Sequence, residues 1–112
     1  MTKHDRRRIK DMLDAARKAI EFAGGKSRED LDDDELLGLA LVRLLEIVGE
    51  AARYVPDEIK QRHSEVEWRA IAGTRNRLIH GYFSVDLDVV WSIIKNDLPI
   101  LIPQLERIAR EA

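Results

Sequence analysis

The chain has 112 residues, of which 45% are apolar, 36% charged and 5% aromatic, a length and balance that predict one helical domain over 1–112. A net charge of −2 excludes a global basic field, so any polyanion must be held by a local patch. The absence of cysteine excludes disulfides, thiolate metal sites and a cysteine nucleophile.

Met1 is followed by polar and basic residues, with no apolar signal core and no membrane-length apolar run. A soluble, cytoplasmic protein with no membrane partner is the expectation. The first helix is predicted over His4 to Ala23, where Ile9, Met12, Leu13, Ala16, Ile20 and Ala23 recur on one face. Arg6, Arg7, Arg8 and Lys10 cluster at its start. They read either as a solvated helix end or as a contribution to RNA phosphate binding. Gly24-Gly25-Lys26-Ser27 stops this helix. The acidic run from Glu29 to Glu35 lacks the glycine and the spaced ligands of a calcium loop. It is read as an acidic first turn that favours the dipole of the next helix.

That second helix, Asp34 to about Tyr54, is apolar over more than one face. In so short a chain this predicts a central helix or one that meets another subunit. Gly38 and Gly49 lie about three turns apart on one stripe. Each costs about 1 kcal/mol against alanine, a cost that close approach of another helix would offset. Arg43, Glu46, Glu50 and Arg53 make a charged stripe. It is either a wet face with intrahelical pairs or the mouth of a cleft or dimer. Pro56 to His63 reads as a connecting turn.

The third helix is expected to open at Ser64 or Glu65 and to run to Gly81. Its apolar stripe is Trp68, Ile71, Ala72, Leu78 and Ile79, interrupted by Arg75. A fixed cation on an apolar face is either a snorkelling side chain or a mark of function. The other face would carry Arg69, Gly73, Asn76 and His80, with Asn76 and His80 adjacent. Gly81 to Ser84 reads as a turn. The fourth helix starts near Asp86 and carries Val89, Val90, Ile93, Ile94, Leu98, Leu101, Leu105 and Ile108. Pro99 and Pro103 predict a kink between Lys95 and Pro103, or two consecutive helices.

Arg75, Asn76, His80 and Tyr82 together suggest phosphodiester chemistry without a metal. RNA carries its own nucleophile, the 2′-hydroxyl. A histidine can move protons and an arginine can hold the charge that grows on phosphorus. DNA lacks the hydroxyl, so the substrate class would be RNA. Taken alone, a histidine near a helix end is more often structural or solvated. His4 and His63 form no metal-ligand spacing with His80, so no metal and no cofactor are expected.

Arg75-x4-His80-x-Tyr82 resembles the R-x4-H-x-Y signature of the HEPN ribonuclease superfamily, and most closely its HepT-like toxin branch. Leu45-Glu46-Ile47-Val48-Gly49-Glu50-Ala51 is similar to that branch's I-G-E-A helix. Trp68 precedes the motif, and Val90-Trp91-Ser92-Ile93-Ile94 with Asp97-Leu98-Pro99 follows it. The likeness spans about Arg8 to Leu105. One departure stands upstream, where Ser64-Glu65-Val66-Glu67 replaces the proline-containing segment of many members.

The resemblance implies an all-α, up-and-down bundle of four or five helices that dimerises and places two motifs across a shared cleft. It implies that Arg75 and His80 are the catalytic pair, that Asn76 and Arg77 position substrate, and that Tyr82 is regulatory. It further implies a toxin of a type VII-like toxin–antitoxin pair, acting on RNA, tRNA among the candidates. The partner would be an MntA-like nucleotidyltransferase antitoxin that transfers AMP to Tyr82. A non-catalytic HEPN module that binds a nucleotide or the nucleotidyltransferase is the alternative, and a plain helical dimer a third. On an ideal helix Arg75 and His80 would stand about 140° apart, so their convergence would require a reaching side chain, a loosened helix end or a pair across the dimer.

Overall fold

The computed structural model describes residues 1–80 and 84–111. The architecture is all-α. Helix α1, Lys3–Ala23, starts one residue earlier than its apolar stripe suggests. Thr2 caps it reciprocally: its hydroxyl accepts from the Asp5 amide at 3.1 Å, and the Asp5 carboxylate accepts from the Thr2 amide at 3.0 Å. That bond holds the Asp5 carboxyl below the usual carboxylate range. Gly24 and Gly25 end α1, and Gly25 takes a positive φ of 75°.

The acidic run folds into a short helix of its own, α2, Asp30–Asp33. It is separate from α3, Glu35–Arg53, because Asp34 is extended between them. The Asp34 carboxylate accepts from the Leu37 amide at 3.0 Å and caps α3. Leu41, Leu45 and Val48 of α3 join Ile9, Met12 and Ala16 of α1 in the core. Arg8 stacks over Tyr54 at the far end of α3, so α1 and α3 run antiparallel. The segment after Pro56 contains the short helix α4, Asp57–Arg62, which seats Ile59 in the core. Its short length hides any helical period in the sequence.

The third helix is not continuous, which corrects the expectation. It is two single-turn helices, α5 at Trp68–Ala72 and α6 at Thr74–Leu78, joined at Gly73. Thr74 is buried, and its hydroxyl donates to the Ile71 carbonyl at 2.6 Å. Helical structure stops at Leu78. Ile79–His80 form strand β1, paired antiparallel with β2, Ser84–Val85, in the register Ile79 to Val85 and His80 to Ser84. The Asp86 amide donates to the Leu78 carbonyl at 2.8 Å, which satisfies a group the helix end would leave open. His80 is therefore not on a helical face beside Asn76, and that expected adjacency does not hold. The expected turn at Gly81 to Ser84 falls mainly on Gly81, Tyr82 and Phe83, which lie outside the described residues; Ser84 belongs to β2.

The last helix opens as α7, Leu87–Ser92, capped by Asp86, and continues as α8, Leu98–Ala109. Between them Ile93–Asp97 form a π-helical turn closed by the Leu98 amide on the Ile93 carbonyl. This is how the chain meets Pro99. The widened turn lets Pro99 fall in the first turn of a new α-helix, where no amide donor is needed. Among the described residues no helix is long and apolar enough to cross a membrane.

Candidate functional site

The motif helix is set by contact with α3. Gly49 of α3 faces the α5–α6 junction so closely that a Cβ there would lie 2.9 Å from the Ile71 carbonyl oxygen. The sequence expectation of a glycine permitting close approach holds at Gly49. At Gly38 the nearest atoms would be 3.8 and 3.9 Å away, ordinary contact. Trp68 anchors the entry: its ring is buried, and its indole N–H donates to the His63 carbonyl at 3.0 Å. Leu78, fully buried, anchors the exit.

Between these anchors α6 presents Arg75 and Asn76 to a polar groove of about 400 Å³. Its other walls are Arg43, Glu46, Gly49, Glu50, Arg53 and Ala72. The charged stripe of α3 is thus the wall of the groove, facing the motif. Three guanidiniums meet two carboxylates there, a small positive excess in a protein of net negative charge. Arg75 is 75% exposed and lies 3.6 Å from Glu46, while Arg53 lies 3.6 Å from Glu50. Both contacts are long, and both guanidiniums are exposed although Glu46 is largely covered, so each arginine is open to an incoming phosphate. Arg43 makes no ion pair among the described residues.

Arg77 goes elsewhere. It lines a second, mainly apolar cavity of about 330 Å³ on the other side of α6, with Leu45, Val48, Ile71 and Leu101 among its walls. There its guanidinium meets Asp97 at 3.4 Å. Asp97 ends the π turn, so the irregular backbone ahead of Pro99 places that carboxylate opposite the motif helix. The sequence offered Asp97-Leu98-Pro99 as part of a pattern but gave no hint of its contact with Arg77. His80 follows in β1, two residues beyond the last helical residue. With the helix ended at Leu78, the 140° separation of an ideal helix no longer governs Arg75 and His80. Tyr82 lies outside the described residues.

The model of the family described as Ribonuclease HepT-like matches residues 12–108. A relative named probable ribonuclease HepT in Thermococcus cleftensis is 38% identical over 109 residues, 94% of this chain and 99% of that protein. A relative named as an RNase in Caldanaerobacter subterraneus subsp. tengcongensis is 42% identical, covering 82% of each chain. Another so named in Methanocaldococcus jannaschii is 34% identical, covering 86% of this chain and 88% of that protein. No solved structure matches the chain. With the family model covering nearly the whole of the helical domain, the chain belongs to the HepT-like ribonuclease family.

Proposed function

We propose that this protein is an endoribonuclease that needs no metal, with Arg75 and His80 as its catalytic pair. The observation that carries the reading is the polar groove, in which Arg75 and Asn76 face an α3 wall of mixed charge at the end of a broken helix. An arginine that is exposed and only loosely paired is suited to hold a scissile phosphate. Relatives of this chain that bear ribonuclease names support the substrate class.

The chemistry follows from RNA itself. His80 takes the proton of the 2′-hydroxyl, the 2′-oxygen attacks phosphorus, and the bond from phosphorus to the 5′-oxygen breaks. The departing 5′-oxygen takes a proton from water and the proton held by His80 returns to solvent, leaving a 2′,3′-cyclic phosphate and a 5′-hydroxyl. Arg75 stabilises the charge on the phosphoryl oxygens, and Asn76 positions the strand. Arg77, held by Asp97 on the far side of α6, acts on RNA only by leaving that pair; its positioning role is indirect. The biological role would be that of a toxin silenced by a nucleotidyltransferase antitoxin through AMP transfer to Tyr82, with release of pyrophosphate from ATP. A homodimer fits the apolar surplus of α3, where Leu36 is 80% exposed and Leu39 59% exposed at one end of the helix.

The decisive experiment compares wild type with His80→Ala and Arg75→Ala on cellular RNA, with the 5′ and 3′ ends of the products determined. Each variant should stay folded and lose about 10²–10⁴-fold in rate, and EDTA should leave wild type active. Full activity in His80→Ala, or strict dependence on an added metal, overturns the mechanism.

A further inference from the structure

The basic start of α1 is a charged feature that the proposed reaction leaves unused. The antiparallel packing of α1 on α3 carries it to the end of α3, and there it meets an exposed aromatic. The Arg8 guanidinium carbon lies 5.1 Å from the centroid of the Tyr54 ring. Tyr54 closes α3 and keeps 59% of its surface open even with that cover. The residue before it, Arg53, lines the polar groove beside Arg75.

A tyrosine this exposed contributes little to the core. Its neighbours also differ from those of an ordinary surface ring. Arg8 makes no ion pair among the described residues, so its guanidinium is held by the ring alone. Asp5 accepts from the Thr2 amide, Glu50 lies 3.6 Å from Arg53, and Glu58 is paired with Arg62; Asp57, at the start of α4, is the acidic group a strand on this face would have to pass. The result is an aromatic plane steadied by one guanidinium, with Arg53 next to it in the chain at the edge of the polar groove. Surfaces that bind single-stranded nucleic acid combine these two elements, a stacking ring and a cationic track.

We propose that Tyr54 and Arg8 form a stacking subsite for one base of single-stranded RNA outside the bond that is cut. Arg53 takes the phosphate between that base and the Arg75 groove. The subsite rests on the reading of the protein as a ribonuclease, since it names where the substrate strand runs. It also makes a distinction that reading does not. Bases already paired in a duplex cannot stack on the ring, so the site selects unpaired strands.

The test uses the full chain and a fluorescein-labelled, 2′-O-methylated single strand of about 12 nucleotides, which binds but cannot be cut. Fluorescence anisotropy gives its affinity for wild type, Tyr54→Ala, Tyr54→Phe and Arg8→Ala, beside that for a duplex of the same sequence. Tyr54→Ala should bind the single strand roughly tenfold more weakly or worse, Tyr54→Phe should match wild type, and Arg8→Ala should fall between. The duplex should be affected much less by Tyr54→Ala. Equal loss on strand and duplex, unchanged affinity in Tyr54→Ala, or no binding of the strand by wild type overturns the subsite. Cleavage of the unmethylated strand is scored separately. A wild type that binds but does not cut removes the ribonuclease reading and leaves the subsite, whereas one that cuts with Tyr54→Ala binding unimpaired does the reverse.

Discussion

Substituting alanine for the two glycines of α3 should move stability in opposite directions. At Gly49 the new Cβ would lie 2.9 Å from the Ile71 carbonyl oxygen and 3.3 Å from the Thr74 Cβ. Neither neighbour is the end of a flexible side chain. Ile71 is held by its carbonyl bond to the Thr74 hydroxyl at 2.6 Å, so the two move only if the α5–α6 junction retreats from α3. Helix propensity offers Gly49→Ala about 1 kcal/mol, against an overpacking cost of about 1–3 kcal/mol. Because the clash is with backbone, the upper part of that range applies, and a net loss of about 1–2 kcal/mol is expected. At Gly38 the nearest atoms would be 3.8 and 3.9 Å away. Alanine fits there, and Gly38→Ala should gain up to about 1 kcal/mol. Urea unfolding followed by circular dichroism measures both. Gly49→Ala should also lose RNA cleavage under conditions where it remains folded, because the displaced segment carries Arg75 and Asn76 into the groove. Equal shifts in the same direction, or a Gly49→Ala protein as stable as wild type, would refute the claim that this glycine sets the position of the motif.

One further outcome rests on a contact of the motif segment, and two test the proposed assembly and regulation. Trp68→Phe keeps an aromatic ring but removes the indole donor to the His63 carbonyl, and should cost about 1–3 kcal/mol in urea unfolding. Leu36→Gln combined with Leu39→Gln should convert a dimer to a monomer of about half the mass by light scattering, with helical content unchanged; a wild type that is already monomeric removes the dimer. Tyr82→Phe should keep ribonuclease activity while gaining no AMP-sized mass increment when incubated with ATP and the cognate nucleotidyltransferase, and equal labelling of both proteins would take the regulatory role away from Tyr82.

The long elements were legible because burial wrote a period into them. Ile9, Met12, Leu13 and Ala16 predicted the inner face of α1, and all four are buried. The acidic start of α3 was legible as a dipole-favouring turn, although Asp34 in fact separates a short α2 from α3 and caps the latter through its side chain. Short elements were not legible. Helix α4 is six residues long, so it repeats its apolar face only once and leaves no period to detect. The π turn was invisible for another reason. Pro99 announces a conflict one turn back, but sequence does not say whether a chain resolves it by kinking, stopping or widening the helix.

The motif segment was misread where local and tertiary preferences compete. Trp68 to Ile79 carries a helical stripe, yet the segment breaks at Gly73 and again after Leu78. The second break had a local signal. Ile79 and the run Tyr82-Phe83-Ser84-Val85 are rich in β-branched and aromatic residues, and Gly81 stands between. Pairing of Ile79–His80 with Ser84–Val85 wins over one more helical turn because it also lets Asp86 close the Leu78 carbonyl and cap α7. The first break has a tertiary cause in the close seating of Ile71 and Thr74 on Gly49. Together the two breaks leave α6 as a single turn anchored by Thr74 and Leu78, with Arg75 and Asn76 on its open side and Arg77 on the side of Asp97. A long regular helix would have carried Arg75 and His80 on diverging faces. Ending the helix between them removes that constraint, so the irregular backbone rather than the helical pattern sets where residues 75 and 80 stand along the chain.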